Sequence, residues 1–218
     1  MEFIENYYIA KDICDVFQGY TRLMLRNKQL ISELGDGQEL KVINWQNIKE
    51  YLKGNNIDSS CEKVKFYQNY AKEIKYMQKG DIIFQLKSGI DNNEILYIDK
   101  EPVDKYIYDN TVLVVRVTDT SIDSLYVYIM CQSAPIQKGI RQMKWQSLLD
   151  KKGKYKSGIV PRLSKGMLLN MMIRKLPEQE RKDIVKEYIK LHKAQDNFSK
   201  KISELQADKD NKANICWL

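Results

Sequence analysis

The residues best suited to catalysis or metal binding are few and scattered in this sequence. Its single histidine, His192, has no metal-ligand companion at helical spacing, so we interpret it as a solvated surface residue. The four cysteines include no CxxC pair, which argues against a zinc site and a disulfide framework and suits a reducing cytoplasm. They are Cys14, Cys61, Cys131 and Cys216. These residues predict neither a metal site nor a nucleophilic centre.

The motifs of common enzymes are also absent. No GxxxxGK phosphate loop, GxGxxG fingerprint, HExxH zinc site or GxSxG elbow occurs, nor the NPPY tetrapeptide with which adenine methyltransferases hold a flipped base. The acidic run at residues 119–123 could bind magnesium in a nuclease, but its position between two predicted elements favours a solvated loop. We therefore expect a binding protein without a catalytic site or a cofactor. A nuclease with an unrecognised acidic site is the enzymatic alternative.

The charge balance favours a polyanionic partner. The 36 Lys and Arg against 29 Asp and Glu give a net charge of +7, which suits nucleic acid. A solubilising surface excess would give the same balance, so charge alone does not decide. The most basic stretch is residues 138–165, which Trp145, Tyr155 and three glycines interrupt.

Size and hydropathy indicate one sizeable domain with an appendage. The chain has 218 residues, of which 43% are hydrophobic. No segment approaches the roughly 18 unbroken apolar residues of a membrane helix, and the N-terminus lacks the basic start and apolar run of a secretory signal. We expect a cytoplasmic protein with no membrane partner.

Three segments have the composition of strands. Residues 79–89 place alternating apolar residues between two glycines, and residues 94–98 and 111–117 are rich in β-branched and aromatic types. Residues 122–132 fit both helical and strand spacing, and we favour a helix. The pattern predicts an α+β fold: a globular domain with a twisted, partly antiparallel sheet and peripheral helices, followed by a long C-terminal coiled-coil helix.

That long helix is predicted from about Pro177 to Ala207. The segment contains no glycine and no further proline, and proline suits a first helical turn because its missing donor would be unpaired there anyway. Glu178 and Glu180 add negative charge where the helix dipole favours it. About 30 residues rising about 1.5 Å each give a helix of about 45 Å.

Apolar residues on this helix follow the 4,3,4,3,4,3 spacing of a coiled-coil seam. An amphipathic helix on the core of its own domain would show similar periodicity, but a helix of about 45 Å is too long for such a domain to cover. We therefore predict a dimerisation seam with one polar position. Its members are Ile184, Tyr188, Leu191, Gln195, Phe198, Ile202 and Leu205.

Residues 158–191 resemble the end of a target-recognition domain in the specificity subunits of type I restriction-modification systems. In that family a glycine precedes a PxLS-like turn, a small helix, an IPLP strand and an EQ pair that opens a long helix. The matching residues are Pro161, Leu163, Ser164, Leu176, Pro177, Glu178 and Gln179. Upstream, IAKDICDVFQGYT and KGDIIFQLKSG resemble the family's opening strand with its glycine loop and its central strand. Two departures are Arg174 and Lys175, where the family usually has proline and apolar residues, and GYTR in place of the commoner GTP.

The resemblance implies a target-recognition domain over residues 1–175, a dimerisation and spacer helix over 176–208, and a C-terminal tail over 209–218. Full-length members carry two recognition domains and two long helices that pair antiparallel. The chain resembles half-length subunits that restore this arrangement as homodimers. In such a dimer Gln195 would face its own copy and fix the register, and a solvated seam position is the open alternative.

The resemblance further implies recognition of double-stranded DNA together with separate DNA adenine methyltransferase subunits, and with a motor subunit for translocation and cleavage. A two-fold dimer would read an interrupted palindrome. Helices of about 45 Å and a rise of about 3.4 Å per base pair place the half-site centres roughly 10 to 13 base pairs apart. A basic nucleic-acid-binding or protein-interaction module outside restriction-modification is the alternative, although the RNP motif of single-strand RNA readers is absent.

Candidate DNA contacts lie in the glycine loop, after the central strand and in the basic stretch. Lys and Arg would bind phosphates, while a few side chains would read base edges in the major groove. The candidates are Tyr20, Thr21, Arg22, Arg26, Lys87, Arg141, Lys144, Lys156 and Arg162.

Overall fold

Helices and strands alternate along the computed structural model, which describes residues 6–21, 38–66 and 74–215. The chain divides into two units, Met1–Lys175 and Leu176–Leu218. The elements of the first unit are β1 (Tyr7–Ile9), α1 (Ala10–Ile13), β2 (Cys14–Gln18), β3 (Gln38–Ile43), α2 (Trp45–Leu52), β4 (Glu62–Phe66), β5 (Ile82–Gln85), β6 (Ile95–Tyr97), β7 (Tyr106–Tyr108), β8 (Val112–Val117), α3 (Ser124–Gln132), α4 (Ala134–Ser147), α5 (Lys165–Leu169) and β9 (Met172–Arg174). The second unit holds α6 (Glu178–Ile215).

The main sheet of the first unit is antiparallel and has the strand order β2-β8-β5-β6. Its strand β8 has the sequence VLVVRV, and residues 112–115 are buried. Such a continuous β-branched run suits a strand that is covered on both faces. The strands predicted within residues 79–89, 94–98 and 111–117 are confirmed as β5, β6 and β8.

The described residues of the first unit also form two smaller sheets. In the second sheet, β3 pairs antiparallel with β4 and parallel with β7. A third sheet pairs β1 with β9. The α+β fold with a partly antiparallel sheet is therefore confirmed, and among the described strands one pair, β3 with β7, is parallel.

A hydrophobic core connects the main sheet, the second sheet and α2. Its members include Phe17, Ile43, Ile48, Ile83, Tyr108 and Val114. The sequence starts α2 with a reciprocal cap: the Asn44 side chain accepts from the backbone N–H of Asn47 at 2.9 Å, and the Asn47 side chain accepts from the N–H of Asn44 at 3.0 Å. Apolar burial thus orients α2 while its first turn is satisfied locally.

A buried carboxylate lies between the core and the start of β5. Asp81, the aspartate of KGDIIFQLKSG, is fully buried and accepts hydrogen bonds from the Tyr108 hydroxyl at 2.7 Å and the backbone N–H of Gln78 at 3.1 Å. Arg116 of β8 provides its counter-charge. Burial, and then the neighbouring Asp81 carboxylate, raise the pKa of Tyr108 well above its ordinary value.

Two helices follow β8. Residues 124–132 form α3, so the helical interpretation of this ambiguous segment is correct. Asp123 begins the helix by accepting from the backbone N–H of Leu125 at 2.8 Å. The helix α4 was not evident in the sequence because Gly139 and several basic residues interrupt its apolar periodicity. It begins with a proline in its first turn, as α6 was expected to do.

The second unit is one helix of 38 residues, α6. It continues to Ile215, beyond the predicted end near Ala207 and through part of the segment expected as a tail. The extension follows from composition, because neither glycine nor proline occurs between Glu178 and Ile215. Across the described ranges, no helix combines the length and apolar character needed to cross a bilayer.

Candidate nucleic-acid interface

A cleft of about 260 Å³ opens at one end of the main sheet. Strands β2 and β5 end here and β8 begins here, since Gln18 pairs with Leu113 and Gln85 pairs with Val112. The cleft is lined by Gln18, Gln85, Leu86, Lys87, Asn110, Thr111 and Arg162. Two cations and three amides therefore share one opening. Such side chains are the ones that proteins use to hold phosphates and to read base edges.

Hydrogen bonds order the rim formed by the turn between β7 and β8. The Asp109 carboxylate accepts from the backbone N–H of Thr111 at 2.9 Å and from the Thr111 hydroxyl. The Gln18 amide donates to the carbonyl of Asn110 at 3.3 Å, and the Thr111 hydroxyl accepts from the backbone N–H of Trp45 at 3.3 Å. The polar rim is thus fixed to β2 on one side and to α2 on the other.

Lys87 and Arg162, two of the predicted DNA contacts, meet at this cleft although they lie far apart in the sequence. Their backbones form an antiparallel bridge, and Leu163 N–H donates to the Leu86 carbonyl at 3.0 Å. The buried side chain of Leu163 anchors the segment, and Arg162 N–H donates to the Ser147 hydroxyl at 2.9 Å. Both cationic side chains remain exposed.

Lys144 does not fit its predicted role as a DNA contact. Its side chain is only 1% exposed, and its ammonium donates to the Ser88 hydroxyl and the Asn92 carbonyl at 2.6 Å each and to the Gly89 carbonyl at 3.2 Å. Burial lowers the pKa of Lys144 to about 8. The prediction is therefore wrong for this residue, which instead ties α4 to the turn that follows Lys87.

The glycine loop after β2 runs against the turn that leads into β8. Tyr20 N–H donates to the Tyr108 carbonyl at 2.7 Å, and the Tyr20 hydroxyl accepts from the N–H of Lys75 at 2.9 Å. A Cβ at Gly19 would overlap the carbonyl of Asp109, so this position requires glycine. Tyr20 and the half-buried Thr21 consequently lie beside the cleft rim. Arg22 and Arg26 lie outside the described residues.

Arg141 and Lys156 lie outside the cleft lining, on α4 and on the loop that follows it. Arg141 is exposed, and Lys156 N–H donates to the Leu148 carbonyl at 2.8 Å. The sequence reasoning missed the amide side chains Gln18, Gln85 and Asn110. Their signal was weak, because each stands at a strand end or turn whose neighbours in space are set by strand pairing.

The residues considered for metal chemistry have structural roles. Asp119 accepts from the N–H of Ser121 at 2.8 Å, and Asp123 caps α3. His192 is exposed on α6 and stacks on Tyr188 with 5.7 Å between the ring centroids. Within residues 6–21, 38–66 and 74–215, no three His, Cys, Asp or Glu side chains gather as a metal site would require.

The predicted seam lies along α6 with most of its apolar side chains exposed. Leu191, Phe198, Ile202 and Leu205 are each more than half exposed, and Leu205 reaches 69%. Gln195, between Leu191 and Phe198, is exposed as well, whereas Ile184 and Tyr188 are partly covered. The unit therefore presents a row of apolar residues at heptad spacing to the solvent, an arrangement that normally needs a partner.

Comparisons with known proteins give a likeness in structure. No protein-family model matches the sequence, and no curated protein matches it. The crystal structure of the HsdS subunit from Thermoanaerobacter tengcongensis superimposes with a TM-score of 0.55 at 15% identity, over 93% of this chain and 45% of that one. A chain from a structure of complex assembly and conformational transition in the type I R-M system also gives 0.55, at 13% identity, over 87% of this chain and 43% of the other.

The chain therefore spans less than half the length of the solved structures that it matches. The match agrees with the resemblance carried by the turn at Pro161, Leu163 and Ser164 and by the start of α6. The chain thus has the α+β fold of specificity subunits of type I restriction-modification systems, over a length that corresponds to less than half of the solved chains.

Proposed function

We propose that the chain is the DNA-recognition subunit of a type I restriction-modification complex and has no enzymatic activity of its own. The observation that carries the proposal is the cleft in which a backbone bridge sets Lys87 beside Arg162 among amide side chains. The fold shared with specificity subunits supports it. Methylation would then come from separate adenine methyltransferase subunits, and translocation and cleavage from a motor subunit.

The cleft supplies the groups for readout. Arginine reads guanine through O6 and N7, and Asn or Gln reads adenine through N6 and N7. Arg162 and the amides of Gln18 and Gln85 would contact base edges, while Lys87 would bind a phosphate. The other proposed contacts, at Tyr20, Thr21, Arg22, Arg26, Arg141 and Lys156, would extend the footprint along the backbone.

Two copies of the unit would pair through the exposed seam of α6. Burying a Leu or Phe side chain stabilises by about 1.5 to 3 kcal/mol, so Leu191, Phe198, Ile202 and Leu205 favour association. Gln195 near the middle of the seam would fix the register at some cost in stability. A two-fold pair of recognition units would read an interrupted palindrome with half-site centres roughly 10 to 13 base pairs apart.

A selection experiment tests this function. The purified chain is incubated with a random duplex library, and the bound DNA is sequenced. We expect two inverted half-sites with a fixed spacer. Enrichment of one half-site alone would contradict the dimer, and no enrichment together with binding of any duplex would indicate a general nucleic-acid-binding module outside restriction-modification.

The spacing has its own test. Deleting residues 192–198 removes one heptad, or about 10 Å, from each helix and should shorten the selected spacer by roughly 3 base pairs. The matched control removes seven residues after the seam and should leave the spacer unchanged. An unaltered spacer in the first variant would contradict the idea that the helix sets the distance.

The partners are tested in cells and in solution. Co-expression with adjacent genes, pull-down and methylome sequencing should recover a methyltransferase and methylated adenine within the selected site. Purified chain with magnesium and target DNA should show no cleavage. Cleavage under these conditions would favour the nuclease alternative.

A further inference from the structure

Two exposed aromatic side chains stand together in the basic stretch, away from the cleft lining. Trp145 of α4 is 49% exposed and Tyr155 of the following loop is 61% exposed. Their ring centroids are 6.3 Å apart with 30° between the ring planes. Large aromatic side chains are usually buried in a monomer, so this exposed pair is a candidate binding surface.

The loop that carries Tyr155 is held in shape by its own backbone. Leu149 and Tyr155 form an antiparallel bridge, and Asp150 N–H donates to the Lys154 carbonyl at 2.8 Å. Gly153 takes a positive φ of 76°, which closes the turn. Buried Leu148 anchors the preceding end. The position of Tyr155 beside Trp145 is therefore preorganised, which lowers the entropy cost of binding a ligand.

Most of the charged residues that flank the pair in the sequence are cationic. Exposed or half-exposed cations surround it in the sequence, namely Lys138, Arg141, Lys151, Lys152, Lys154 and Lys156. None of them lies within ion-pair distance of a carboxylate among the residues that the structure describes. The acidic residue of the loop, Asp150, accepts from the N–H groups of Lys152 and Lys154 at 2.8 Å each and so is used within the turn.

We propose that Trp145 and Tyr155 form a stacking site for an unpaired nucleotide, with the surrounding lysines and Arg141 binding the phosphates of its strand. Single-strand binders combine these two features: aromatic faces on which bases stack and cations that follow the backbone. Bases in an intact duplex are already stacked on one another, so an exposed aromatic pair suits a nucleotide outside the helix. The sequence places both aromatic residues in the basic stretch without an RNP motif, and only the fold brings their rings together.

The site goes beyond recognition of a duplex target. A methyltransferase extrudes its target base and leaves an unpaired nucleotide, and this link to the site rests on the proposed function. Binding of a single strand by the purified chain does not depend on that link. The two proposals can therefore fail independently.

The test measures binding of the full chain to labelled dT15, to rU15 and to a random-sequence duplex of equal length at low salt. We expect binding of the single strands with quenching of tryptophan emission that is lost in Trp145→Ala, and the DNA and RNA arms show which sugar the site accepts. Tyr155→Ala and Trp145→Ala should each weaken single-strand binding by about 5- to 100-fold. Tyr155→Phe should bind within about two-fold of the unchanged chain, because the ring face is kept.

Controls separate stacking from charge and from folding. Val103→Ala removes another highly exposed apolar side chain and should leave the affinity unchanged. Replacing Lys154 and Lys156 with alanine should reduce the slope of log K against log salt by about 0.7 for each lost phosphate contact. Thermal unfolding confirms that each variant is folded.

Three outcomes would overturn the stacking site: no single-strand binding by the unchanged chain, equal binding by Tyr155→Ala, or equal losses in Tyr155→Phe and Tyr155→Ala. Capture of an acidic protein partner by this surface without any oligonucleotide binding would overturn it as well. Repeating the duplex selection with Tyr155→Ala tests the proposed recognition of duplex DNA separately from the stacking site. Retained half-sites in that variant would leave duplex recognition intact.

Discussion

Arg116 and Asp81 form a two-pronged ion pair inside the first unit, with Nε 2.7 Å from Oδ1 and Nη2 2.8 Å from Oδ2. The same Nη2 also donates to the Tyr76 carbonyl at 2.6 Å, and the guanidinium lies 5.1 Å from the ring centroid of Phe17. The pair thereby links β8, the start of β5 and the segment before it. The aspartate of KGDIIFQLKSG is thus a structural residue and not a reader of DNA.

Breaking this pair should destabilise the fold strongly. Arg116→Met leaves the fully buried Asp81 carboxylate without its counter-charge, and we expect a loss of about 3 to 5 kcal/mol in the free energy of unfolding. Urea unfolding followed by circular dichroism measures it. Lys53→Met, which removes a surface ion pair with Glu50, serves as the control and should leave the value nearly unchanged. Equal effects would contradict a special role for the buried pair.

Lys144→Met should destabilise the turn that follows Lys87. The carbonyls of Gly89 and Asn92 would lose their donor, at a cost of about 1 to 3 kcal/mol. Lys165→Met, at an exposed lysine, is the matched control and should have little effect. A loss of DNA affinity without any loss of stability would instead restore Lys144 as a direct contact.

The contribution of Lys144 to stability should depend on pH, and the lowered pKa of Lys144 gives the direction of this dependence. Burial lowers the pKa of Lys144 from 10.5 to about 8, so between these values the unfolded chain binds more protons than the folded one. The contribution of Lys144 to stability therefore rises with pH across this window and is lowest below pH 8. The stability difference between the unchanged chain and Lys144→Met should grow from pH 8 to pH 10, as unfolding at several pH values would show. A constant difference would contradict the lowered pKa.

Two glycines should respond in opposite directions to alanine. Gly19→Ala places a methyl group against the Asp109 carbonyl and should destabilise by more than about 1 kcal/mol. Gly139→Ala, in the interior of α4 with open space around it, should stabilise by about 0.5 to 1 kcal/mol. Thermal unfolding of the two variants compares them directly. Loss of stability at both positions would contradict the expectation that the space beside Gly139 accommodates a methyl group.

Charge on the seam should prevent association through α6. Phe198→Glu places a carboxylate at an apolar seam position next to Gln195 in the heptad pattern and should raise the dissociation constant of the dimer at least ten-fold, because a buried charge without a partner is costly. Sedimentation equilibrium measures it, with Asn197→Glu as a control that adds the same charge beside the seam. Gln195→Leu should tighten association and loosen the register. A monomeric unchanged chain at high concentration would remove the basis for all three expectations.

Removing one cation from the cleft should weaken duplex binding and its salt dependence together. Arg162→Ala and Lys87→Ala should each reduce the slope of log K against log salt by about 0.9 if they bind phosphate. If Arg162 reads a base, its loss should also relax the sequence preference at one position, by about 1 to 3 kcal/mol. Fluorescence anisotropy over a salt series provides the data. Lys100→Ala, at an exposed lysine outside the cleft lining, is the control, and equal losses in all three would argue against the cleft.

Several elements can be predicted from local sequence patterns alone, whereas others depend on pairing between residues that lie far apart in the sequence. The alternation in β5, the β-branched run of β8 and the uninterrupted α6 are properties of neighbouring residues. The parallel pairing of β3 with β7 is not, because Ile43 and Tyr108 become neighbours only when the intervening segments have folded.

In the candidate site, too, some properties follow from the local sequence and others only from contacts between distant residues. Lys144 and Lys156 look alike in the sequence, since both lie in the basic stretch. Only the acceptors at Ser88, Gly89 and Asn92, supplied by a distant turn, make Lys144 a buried structural residue. The proximity of Lys87 and Arg162 likewise follows only from the fold, whereas their positive charge is evident from the sequence.

The pairing of β1 with β9 brings the two ends of the first unit side by side, with Tyr7 opposite Arg174. A domain whose N-terminal and C-terminal strands lie side by side can be exchanged between chains without a change in the path of the flanking polypeptide. The first unit is therefore suited to exchange as a single domain. Exchanging it at this strand pair would transfer the whole cleft while leaving the C-terminal helix of the recipient unchanged.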